Sequence, residues 1–204
     1  MASQEKSLFD TKYQQTDTAG KIVVGLERIS EAFRVLLWEK AHALGLTPIQ
    51  IQLLIFIKFH ADAYCGVSYL AREFNMTKPT ISDAVKSLEA KGFILRKPSS
   101  SDGRSQVISL TQKGKKMTAS IEHFASPVKE KIGKLSTNEQ ENLLDHILHI
   151  VSGLNNSGII QPQRTCFACV YYTRTKSGDH CQLLKQPLKR ADIRFDCPEF
   201  EPVL

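Results

Sequence analysis

The segment from Val67 to Leu110 reads VSYLAREFNMTKPTISDAVKSLEAKGFILRKPSSSDGRSQVISL, and its pattern predicts two short helices followed by a charged hairpin. In its first nine residues the apolar positions recur at helical spacing, which indicates one buried face of a short helix. These positions are Val67, Leu70, Ala71 and Phe74. Asn75 and Met76 interrupt the pattern, so the first helix should end there.

A second helix is predicted from Lys78 to Lys91, directly after this break. Thr77 can cap it by accepting a backbone N–H, and Pro79 suits its first turn because an N–H there would have no partner anyway. The apolar positions that share a buried face are Ile81, Ala84, Val85 and Leu88. The candidate DNA contacts on and before this helix are Thr77, Lys78, Thr80, Ser82, Asp83 and Lys86. Small hydroxyls and lysine leave such a helix free to enter a major groove, and its N-terminus favours phosphate; an ordinary solvated helix surface is the alternative.

Gly92 is predicted to end the second helix, and a charged hairpin follows. FILRKP alternates apolar and polar residues like a half-buried strand, and SQVISL returns after a polar turn with Ile108 toward the core. The charged residues that this wing offers to DNA are Lys97, Asp102 and Arg104. Arg104 can enter the minor groove, where the potential is most negative, and Asp102 can hold its guanidinium in place. An exposed surface ion pair is the alternative interpretation.

The stretch FNMTKPTISDAVKSLEAKGFILRKPSSSDGRSQVISLTQKGKK resembles the MarR family of winged helix-turn-helix transcriptional regulators. The resemblance extends over about residues 20–154, and its specific features are Asp102-Gly-Arg104 in the wing and Leu110-Thr-Gln-Lys-Gly114 after it. It implies a homodimer that binds a pseudo-palindromic operator in double-stranded DNA. It also implies a repressor that a small-molecule inducer or oxidation releases, and it implies no enzyme.

The predicted fold class is therefore mostly α, an α+β winged helix-turn-helix with long dimerisation helices and a small cysteine-rich module at its C-terminus. Residues 1–18 are expected to form a flexible N-terminus, residues 19–154 the MarR-like domain, residues 155–163 a linker and residues 164–204 the four-cysteine module. Within the domain, residues 67–110 form the reading head, and residues 19–44 and 111–154 supply the dimerisation helices.

The flanking helices are predicted from their apolar spacing. Residues 19–44 carry Ile22, Leu26, Ile29, Phe33 and Leu36 at heptad spacing, and this seam can pack against the chain's own core or against a partner helix. Thr47-Pro48 should cap an interior helix, IQIQLLIFIKF. Thr111 should open a further helix, where Lys113 and Lys115 are candidate phosphate contacts that add affinity without sequence preference.

Composition agrees with a DNA-binding protein without requiring one. The chain has 204 residues, 42% of them hydrophobic, and a net charge of +6. Such an excess suits a polyanion, although many basic proteins have no nucleic-acid role. The N-terminus lacks the apolar core of a secretory signal, and no apolar run reaches the roughly 20 residues of a membrane span, so we expect a cytoplasmic protein with no membrane partner.

Four of the five cysteines lie in the C-terminal module: Cys166, Cys169, Cys181 and Cys197. In a cytosolic protein such a set favours thiolate ligands over disulfides, because the compartment keeps thiols reduced. A metal would also supply folding energy that a short polar segment cannot obtain by burying apolar surface. Structural zinc is the first expectation. An iron–sulfur cluster of the 4Fe-4S type is the alternative, because Cys197-Pro198 is similar to the end of ferredoxin motifs.

Two other residues are candidates for the chemistry of cysteine sites. His180 can replace a cysteine as ligand, although a solvated histidine beside a ligand is the favoured interpretation. Cys65 is interpreted as a small core or loop residue rather than a sensor thiol, since no cation adjoins it in sequence.

The alternative function is a thiol or iron–sulfur redox protein that uses the winged helix as an interaction platform. Against it, CFAC lacks the strand–helix context of a thioredoxin-like site.

Overall fold

A computed structural model describes residues 7–12, 16–98, 106–161, 164–175 and 178–203. The helices in these ranges are α1 (Thr18–Leu44), α2 (Pro48–Phe59), α3 (Val67–Glu73), α4 (Lys78–Ala90), α5 (Gln112–Ile121), α6 (Ser126–Ile132) and α7 (Thr137–Asn156). The strands are β1 (Ile94–Pro98), β2 (Gln106–Leu110), β3 (Tyr172–Thr175), β4 (Gly178–Cys181) and β5 (Gln186–Leu188). β1 and β2 form one antiparallel hairpin, and β3, β4 and β5 form a separate antiparallel sheet in that order.

Helix α2 lies at the centre of the core, as its apolar sequence predicts. Thr47 and Gln50 form a reciprocal capping box at its N-terminus. The Gln50 amide also donates to the Ser87 hydroxyl at 2.9 Å, which ties α2 to α4. Around α2 pack the C-terminal end of α1 and the apolar faces of α3, α4 and α5; the fully buried side chains include Ile51, Leu53, Leu54, Leu70, Ile81, Leu88 and Ile121.

The two helices of the reading head form where the sequence places them. Asn75 takes a positive φ of 49° in the turn between them, and the Thr77 side chain accepts the Thr80 N–H at 3.3 Å. Helix α4 ends at Ala90, and Gly92 follows with a φ of 73°, a conformation that glycine adopts without strain. Of the predicted buried face, Ile81, Val85 and Leu88 are fully buried and Ala84 lies half-buried at its edge.

The wing packs against the core through β2. Arg96 lies opposite Ile108 in the register of the hairpin, and Ile108 is buried. The Ile108 N–H donates to the Cys65 carbonyl at 2.9 Å, so the wing is bonded to the loop before α3. The tip of the wing, with the predicted contacts Asp102 and Arg104, lies outside the described residues.

Gly114 is required where α5 starts against the wing. Thr111 caps α5 by accepting the Gly114 N–H at 3.0 Å, and its hydroxyl donates to the Gly92 carbonyl at 2.7 Å. A Cβ on Gly114 would lie 1.9 Å from the Phe93 carbonyl oxygen. This close approach is the physical reason for glycine at the end of Leu110-Thr-Gln-Lys-Gly114.

The Gly114→Ala variant should therefore lose stability, because a backbone carbonyl cannot move aside as a flexible side chain can. We expect a drop of about 2–3 kcal/mol in the free energy of unfolding, measured by urea denaturation. Gly153→Ala is the matched control, since no atom lies within 4 Å of the added Cβ there. Alanine in that open helical position should leave stability equal or slightly higher. Equal stability of the two variants would contradict the steric account.

Much of the apolar surface of α1, α6 and α7 is not covered by any other part of the described ranges. On α1 the buried residues are Gly20, Leu37 and Ala41, whereas the heptad positions Ile22, Leu26, Ile29 and Phe33 are between 38% and 53% exposed. The seam thus does not pack on the chain's own core. No single helix in the described ranges is long and apolar enough to cross a membrane; α1 and α2 reach that length and composition only as a pair bent by 94°.

The segment predicted as dimerisation helices, residues 111–154, divides into three helices with different roles. Helix α5 packs into the core through Thr118 and Ile121, so it does not contribute to the exposed apolar surface that α1, α6 and α7 share. Helix α6, which the sequence analysis did not separate, begins with Pro127 in its first turn. Helix α7 begins with a capping box between Ser136 and Glu139, and its only buried residue among those described is Leu148.

Candidate DNA-reading surface and four-cysteine centre

The six helix residues predicted to contact DNA all lie at the exposed start and outer side of α4. Thr77, Lys78, Thr80, Asp83 and Lys86 are exposed, and Ser82 is half-buried. The buried anchors Ile81 and Val85 fix this orientation. The first turn of α4 contains no acidic residue, so nothing there neutralises the positive end of the helix dipole. The surface can therefore meet a phosphate and a base edge together.

Four of these six residues already pair with one another. The hydroxyls of Thr77 and Thr80 lie 2.8 Å apart, and Thr77 also caps the helix, so its first role is to hold the N-terminus in place. Lys86 and Asp83 form an ion pair of 3.3 Å with side chains that are 65% and 75% exposed. Exposed ion pairs of this kind contribute little to stability. Lys86 can therefore break its pair with Asp83 and bind phosphate instead.

An ion pair fixes the wing relative to the reading helix. Arg96 on β1 lies 3.0 Å from Glu89 near the end of α4. Its neighbour Lys97 is exposed and alternates to the opposite side of the strand, where it is free to face a ligand. The sequence pattern does not mark Arg96, because its partner Glu89 is on another element.

The two predicted phosphate contacts on α5 differ in their surroundings. The Lys113 ammonium donates to the Lys91 carbonyl at 2.7 Å and lies 4.8 Å from the centre of the Phe93 ring. Lys113 therefore caps the C-terminus of α4, where a cation is favoured. Lys115 is exposed on the same helix and has no such contact described.

The segment that contains the reading helix is similar to a known protein family. The model of the MarR family matches residues 44–105, which include α2, α3, α4 and β1. This segment is similar to the MarR family and has the winged helix-turn-helix fold. A curated protein similar to this chain is the uncharacterized HTH-type transcriptional regulator YdgJ of Bacillus subtilis (strain 168). The two are 26% identical over 113 residues, which are 55% of this chain and 68% of that protein.

Solved structures share the fold. The crystal structure of the transcriptional regulator PA3341 has a TM-score of 0.58 at 26% identity, over 66% of this chain and 98% of that one. The S. aureus MepR–DNA complex has a TM-score of 0.54 at 24% identity, over 63% and 94%. The predicted winged-helix fold class is confirmed, and so is the prediction of no enzyme, because these relatives are transcriptional regulators. About a third of this chain lies outside each structural match.

The four cysteines of the C-terminal module all line one small cavity. A short 3-10 helix, Cys166–Ala168, places the first two, and the Cys169 N–H donates to the Cys166 carbonyl at 3.0 Å. Cys181 ends β4, and the Cys197 N–H is bonded to the Arg164 carbonyl at 2.9 Å. None of the four forms a disulfide. We name this space the cysteine cavity; its other lining residues are Tyr171, Tyr172, Leu183, Leu184, Leu188 and Glu199.

The sulfur atoms of the cavity have polar neighbours from one short segment. The Arg194 N–H donates to Cys166 Sγ at 3.4 Å, and the Arg194 guanidinium lies 4.0 Å from Cys197 Sγ. Burial raises the pKa of Cys166, and the Arg194 N–H opposes that rise. Burial also raises the pKa of Cys197. Among the described residues, no three His, Cys, Asp or Glu side chains lie close enough together to hold a single metal ion.

His180 does not line the cysteine cavity. It precedes Cys181 on β4, and successive side chains of a strand point to opposite faces of the sheet. Its Nδ1 is buried without a hydrogen-bond partner among the described residues. His180 is therefore disfavoured as a ligand in the cavity, but the prediction of a solvated histidine is wrong, because its ring is half-buried.

Cys65 lies apart from the other cysteines, in the core beneath the wing. Burial, with a smaller contribution from the charge of Asp62, raises the pKa of Cys65 to about 11. The thiol therefore stays protonated at neutral pH. A protonated, buried thiol is a poor nucleophile, which favours the core interpretation over the sensor thiol.

Arg164 joins the four-cysteine module to the reading head, and sequence reasoning missed this role. Its side chain is 4% exposed, and it donates to Glu73 Oε2 at 2.8 Å and to the Tyr69 hydroxyl at 2.7 Å, both on α3. It also donates to Oδ1 of Asp196 at 2.6 Å, and Asp196 immediately precedes Cys197 in the sequence. We name this set, with His60, the Arg164 junction. The guanidinium also lies among the rings of Phe56, Tyr64 and Tyr69.

The charges of the Arg164 junction support one another. Burial alone would raise the pKa of Asp196, but hydrogen bonds with His60 and Arg164 outweigh it and lower the pKa to about 2. Burial likewise opposes the charged form of Arg164, but hydrogen bonds to Asp196 and Glu73 raise the pKa of its guanidinium. Arg164 therefore remains a cation between two carboxylates, one on each side of the boundary between module and reading head.

The module also contacts α7. The Arg190 guanidinium donates to the Asn142 side-chain oxygen at 2.8 Å, and the rings of Phe167 and His149 lie 5.7 Å apart. Phe167 follows Cys166 directly in sequence. The four-cysteine module thus lies against both the reading head and helix α7, which carries part of the exposed apolar surface.

Proposed function

We propose that this protein is a dimeric, sequence-specific DNA-binding transcriptional regulator that acts in the cytoplasm as a repressor. The observation that carries the proposal is the exposed start of α4, with its lysine and hydroxyl side chains and an uncompensated positive end, held beside a wing in a MarR-type domain. The MepR structure with the same fold is a complex with DNA.

The uncovered apolar surface supports the dimer. Isolated soluble chains do not expose contiguous apolar surface of this kind without a partner. The proposed partner is a second copy of the chain, because a second copy would supply a second reading head. Two-fold symmetry would then present two α4 helices to half-sites about one DNA turn, or ~34 Å, apart.

A small-molecule inducer completes the repressor part of the proposal. A cavity of about 340 Å³ lies against α3, within the size range of ligand sites. Its lining residues come from the reading head, the module and the segments that precede each of them: Tyr64, Tyr69, Arg72, Glu73, Gln161, Phe200 and Pro202. A ligand there would contact two members of the Arg164 junction, Tyr69 and Glu73.

The four-cysteine module is proposed to bind a metal through Cys166, Cys169, Cys181 and Cys197, either to stabilise the fold or to sense the metal. The convergence of four thiols on one cavity supports this, because dispersed cysteines would not share a lining. Zinc is the expectation from sequence and a 4Fe-4S cluster the alternative. A redox protein that uses the winged helix only as a platform is not favoured, since the relatives are transcriptional regulators.

Selection of bound duplexes from a random library tests the DNA-binding proposal. We expect enrichment of a pseudo-palindromic site, with specific binding at least about 10³-fold tighter than binding to random duplex at the same salt concentration. Equal binding of the selected and random duplexes would reject a sequence-specific regulator.

The two lysines of α5 give a paired prediction. Lys115→Ala should weaken binding to specific and random DNA alike and reduce the salt slope of log K by about one unit, because one phosphate contact is lost. Lys113→Ala should instead lower stability by about 0.5–1 kcal/mol through loss of the α4 cap. Fluorescence anisotropy across a salt series and urea denaturation measure the two effects. Identical behaviour of the two variants would contradict the different surroundings of these lysines.

A further inference from the structure

We propose that the four-cysteine module holds helix α7 at a fixed angle to the reading head, and that Arg164 and Arg190 thereby determine which spacing of two DNA half-sites the protein selects. This inference rests on the dimer and the DNA binding of the proposed function, and it names residues that set specificity without contacting DNA. It does not depend on whether the module binds a metal.

Helix α7 is held mainly by the module. Its only buried residue among those described is Leu148. Within the described ranges, α7 packs more extensively against the helical turn Arg190–Asp192 than against any other helix or strand. The position of α7 relative to the reading head therefore depends on how the module connects the two.

A first short segment of the module, residues 164–167, reaches from the reading head to α7. At one end, Arg164 donates to Glu73 Oε2 on α3 at 2.8 Å. At the other end, the ring centre of Phe167 lies 5.7 Å from that of His149 on α7. Three residues of extended chain span at most about 10–11 Å, so this connection has little slack.

A second segment, residues 190–196, makes the same connection in the opposite chain direction. At its start, the Arg190 guanidinium donates to the Asn142 side-chain oxygen on α7 at 2.8 Å. At its end, Asp196 Oδ2 lies 2.5 Å from Nε2 of His60, which directly follows α2. Ile193 between these ends is buried, which holds the segment in place.

Backbone hydrogen bonds join the two segments, which we name the brace. The Cys166 N–H donates to the Arg194 carbonyl at 3.3 Å, and the Cys197 N–H donates to the Arg164 carbonyl at 2.9 Å. The Arg194 N–H in turn donates to Cys166 Sγ at 3.4 Å. Two segments bonded side by side bend less than either would alone, so the brace fixes the angle between α7 and the reading head.

This angle decides where two reading helices lie in the proposed dimer. Exposed apolar side chains of α1 and α7 face the second copy, whereas α4 carries the DNA contacts. Under two-fold symmetry, the angle between these parts sets the separation of the two α4 helices. One added base pair moves a half-site by ~3.4 Å and turns it by about 35°. A fixed angle therefore selects one spacing, and a freer angle accepts neighbouring ones.

Operators with altered half-site spacing test this proposal on the full-length protein. Fluorescence anisotropy would measure affinity for the selected operator, for operators with one base pair inserted or removed between the half-sites, and for an isolated half-site. The test variant is Arg190→Ala with His149→Ala, which removes the described contacts of both side chains between the brace and α7. Both residues are exposed, so the core stays intact. We expect the preference for the selected spacing to fall about fivefold or more, with half-site affinity unchanged.

The matched control is Arg174→Ala with His123→Ala, which removes the same two residue types outside the brace. Both side chains are exposed, and the spacing preference should stay at the wild-type value. An unchanged preference in the test variant, or an equal loss in the control, would overturn the brace. Dissociation of the test variant, seen by light scattering, would assign Arg190 and His149 to the dimer contact and also overturn it.

The wild-type protein separates this inference from the proposed function. Specific binding of a half-site without any preference for spacing would overturn the brace and leave the DNA-reading surface intact. Absence of sequence-specific binding to every duplex would overturn the proposed function itself, and the brace with it.

Discussion

Replacing both Leu26 and Ile29 with glutamate is expected to dissociate the proposed dimer into single chains and to weaken operator binding by about 10²–10⁴-fold. These residues lie on the heptad seam of α1 and are 40% and 48% exposed in the single chain. In a two-fold dimer each substitution occurs twice, so four carboxylates would have to be desolvated in one interface. A single chain binds one half-site only and loses the effective concentration that linkage of two reading heads provides.

Light scattering on a size-exclusion column measures the assembly state against the 22.9 kDa mass of one chain. Anisotropy with the full operator and with one half-site measures binding, and the two affinities should become similar in the variant. Val203→Glu is the control, because it places a carboxylate on an apolar residue that is 64% exposed and belongs to the four-cysteine module. A double variant that still has twice the mass of the chain would exclude the α1 seam as the dimer contact.

Arg164→Ala is expected to lower the free energy of unfolding by about 3–5 kcal/mol, the usual cost of removing one partner of a buried ion pair. The reason is that Glu73, whose side chain is 12% exposed, would keep a negative charge without its cation. Arg164→Lys should recover little of this loss, because a compact ammonium does not reproduce the wide five-donor fork that bonds Glu73, Tyr69 and Asp196. Chemical denaturation of the three proteins measures the difference.

The control for this variant is Arg174→Ala, which removes another arginine of the module. Arg174 pairs with Asp179 at 3.2 Å, but its side chain is 65% exposed, so its loss should cost about 0–1 kcal/mol. Equal losses for the two arginines would show that the Arg164 junction does not stabilise the docking of the module.

The same variant separates a sensing module from a purely stabilising one. If the module senses its metal, removal of the metal should change the operator affinity of the wild-type protein. The same removal should leave the operator affinity unchanged in the Arg164 variant, the Glu73 variant and the double variant, which together form a double-mutant cycle. A merely structural metal would lower stability in every variant but leave the operator affinity of the folded protein unchanged.

The reading head could be predicted closely because its signals are local. A capping threonine, a proline in the first turn, apolar residues at helical spacing and a terminating glycine all act within a few residues of one another. These signals located Thr77, the buried face of α4 and Gly92 within about one residue of their observed roles. The boundary of α5 was equally local, since Thr111 caps it directly.

Partners that are distant in sequence could not be predicted in this way. Arg164 precedes the first cysteine by two residues and carries no pattern that distinguishes it from an exposed arginine. Its partner Glu73 is 91 positions away. The capping role of Lys113 is hidden for the same reason, because its carbonyl partner belongs to another helix 22 positions earlier.

By itself, the sequence determined that this chain contains a winged helix-turn-helix with a four-cysteine extension, because caps, periodicity and cysteine spacing are written in neighbouring residues. Tertiary structure decided what surrounds those features. It left the α1 seam uncovered, assigned α5 to the core, placed Arg164 between two carboxylates and spread four thiols around a cavity. Each of these depends on how elements distant in sequence approach one another, and burial, charge and ligand spacing are properties of that approach.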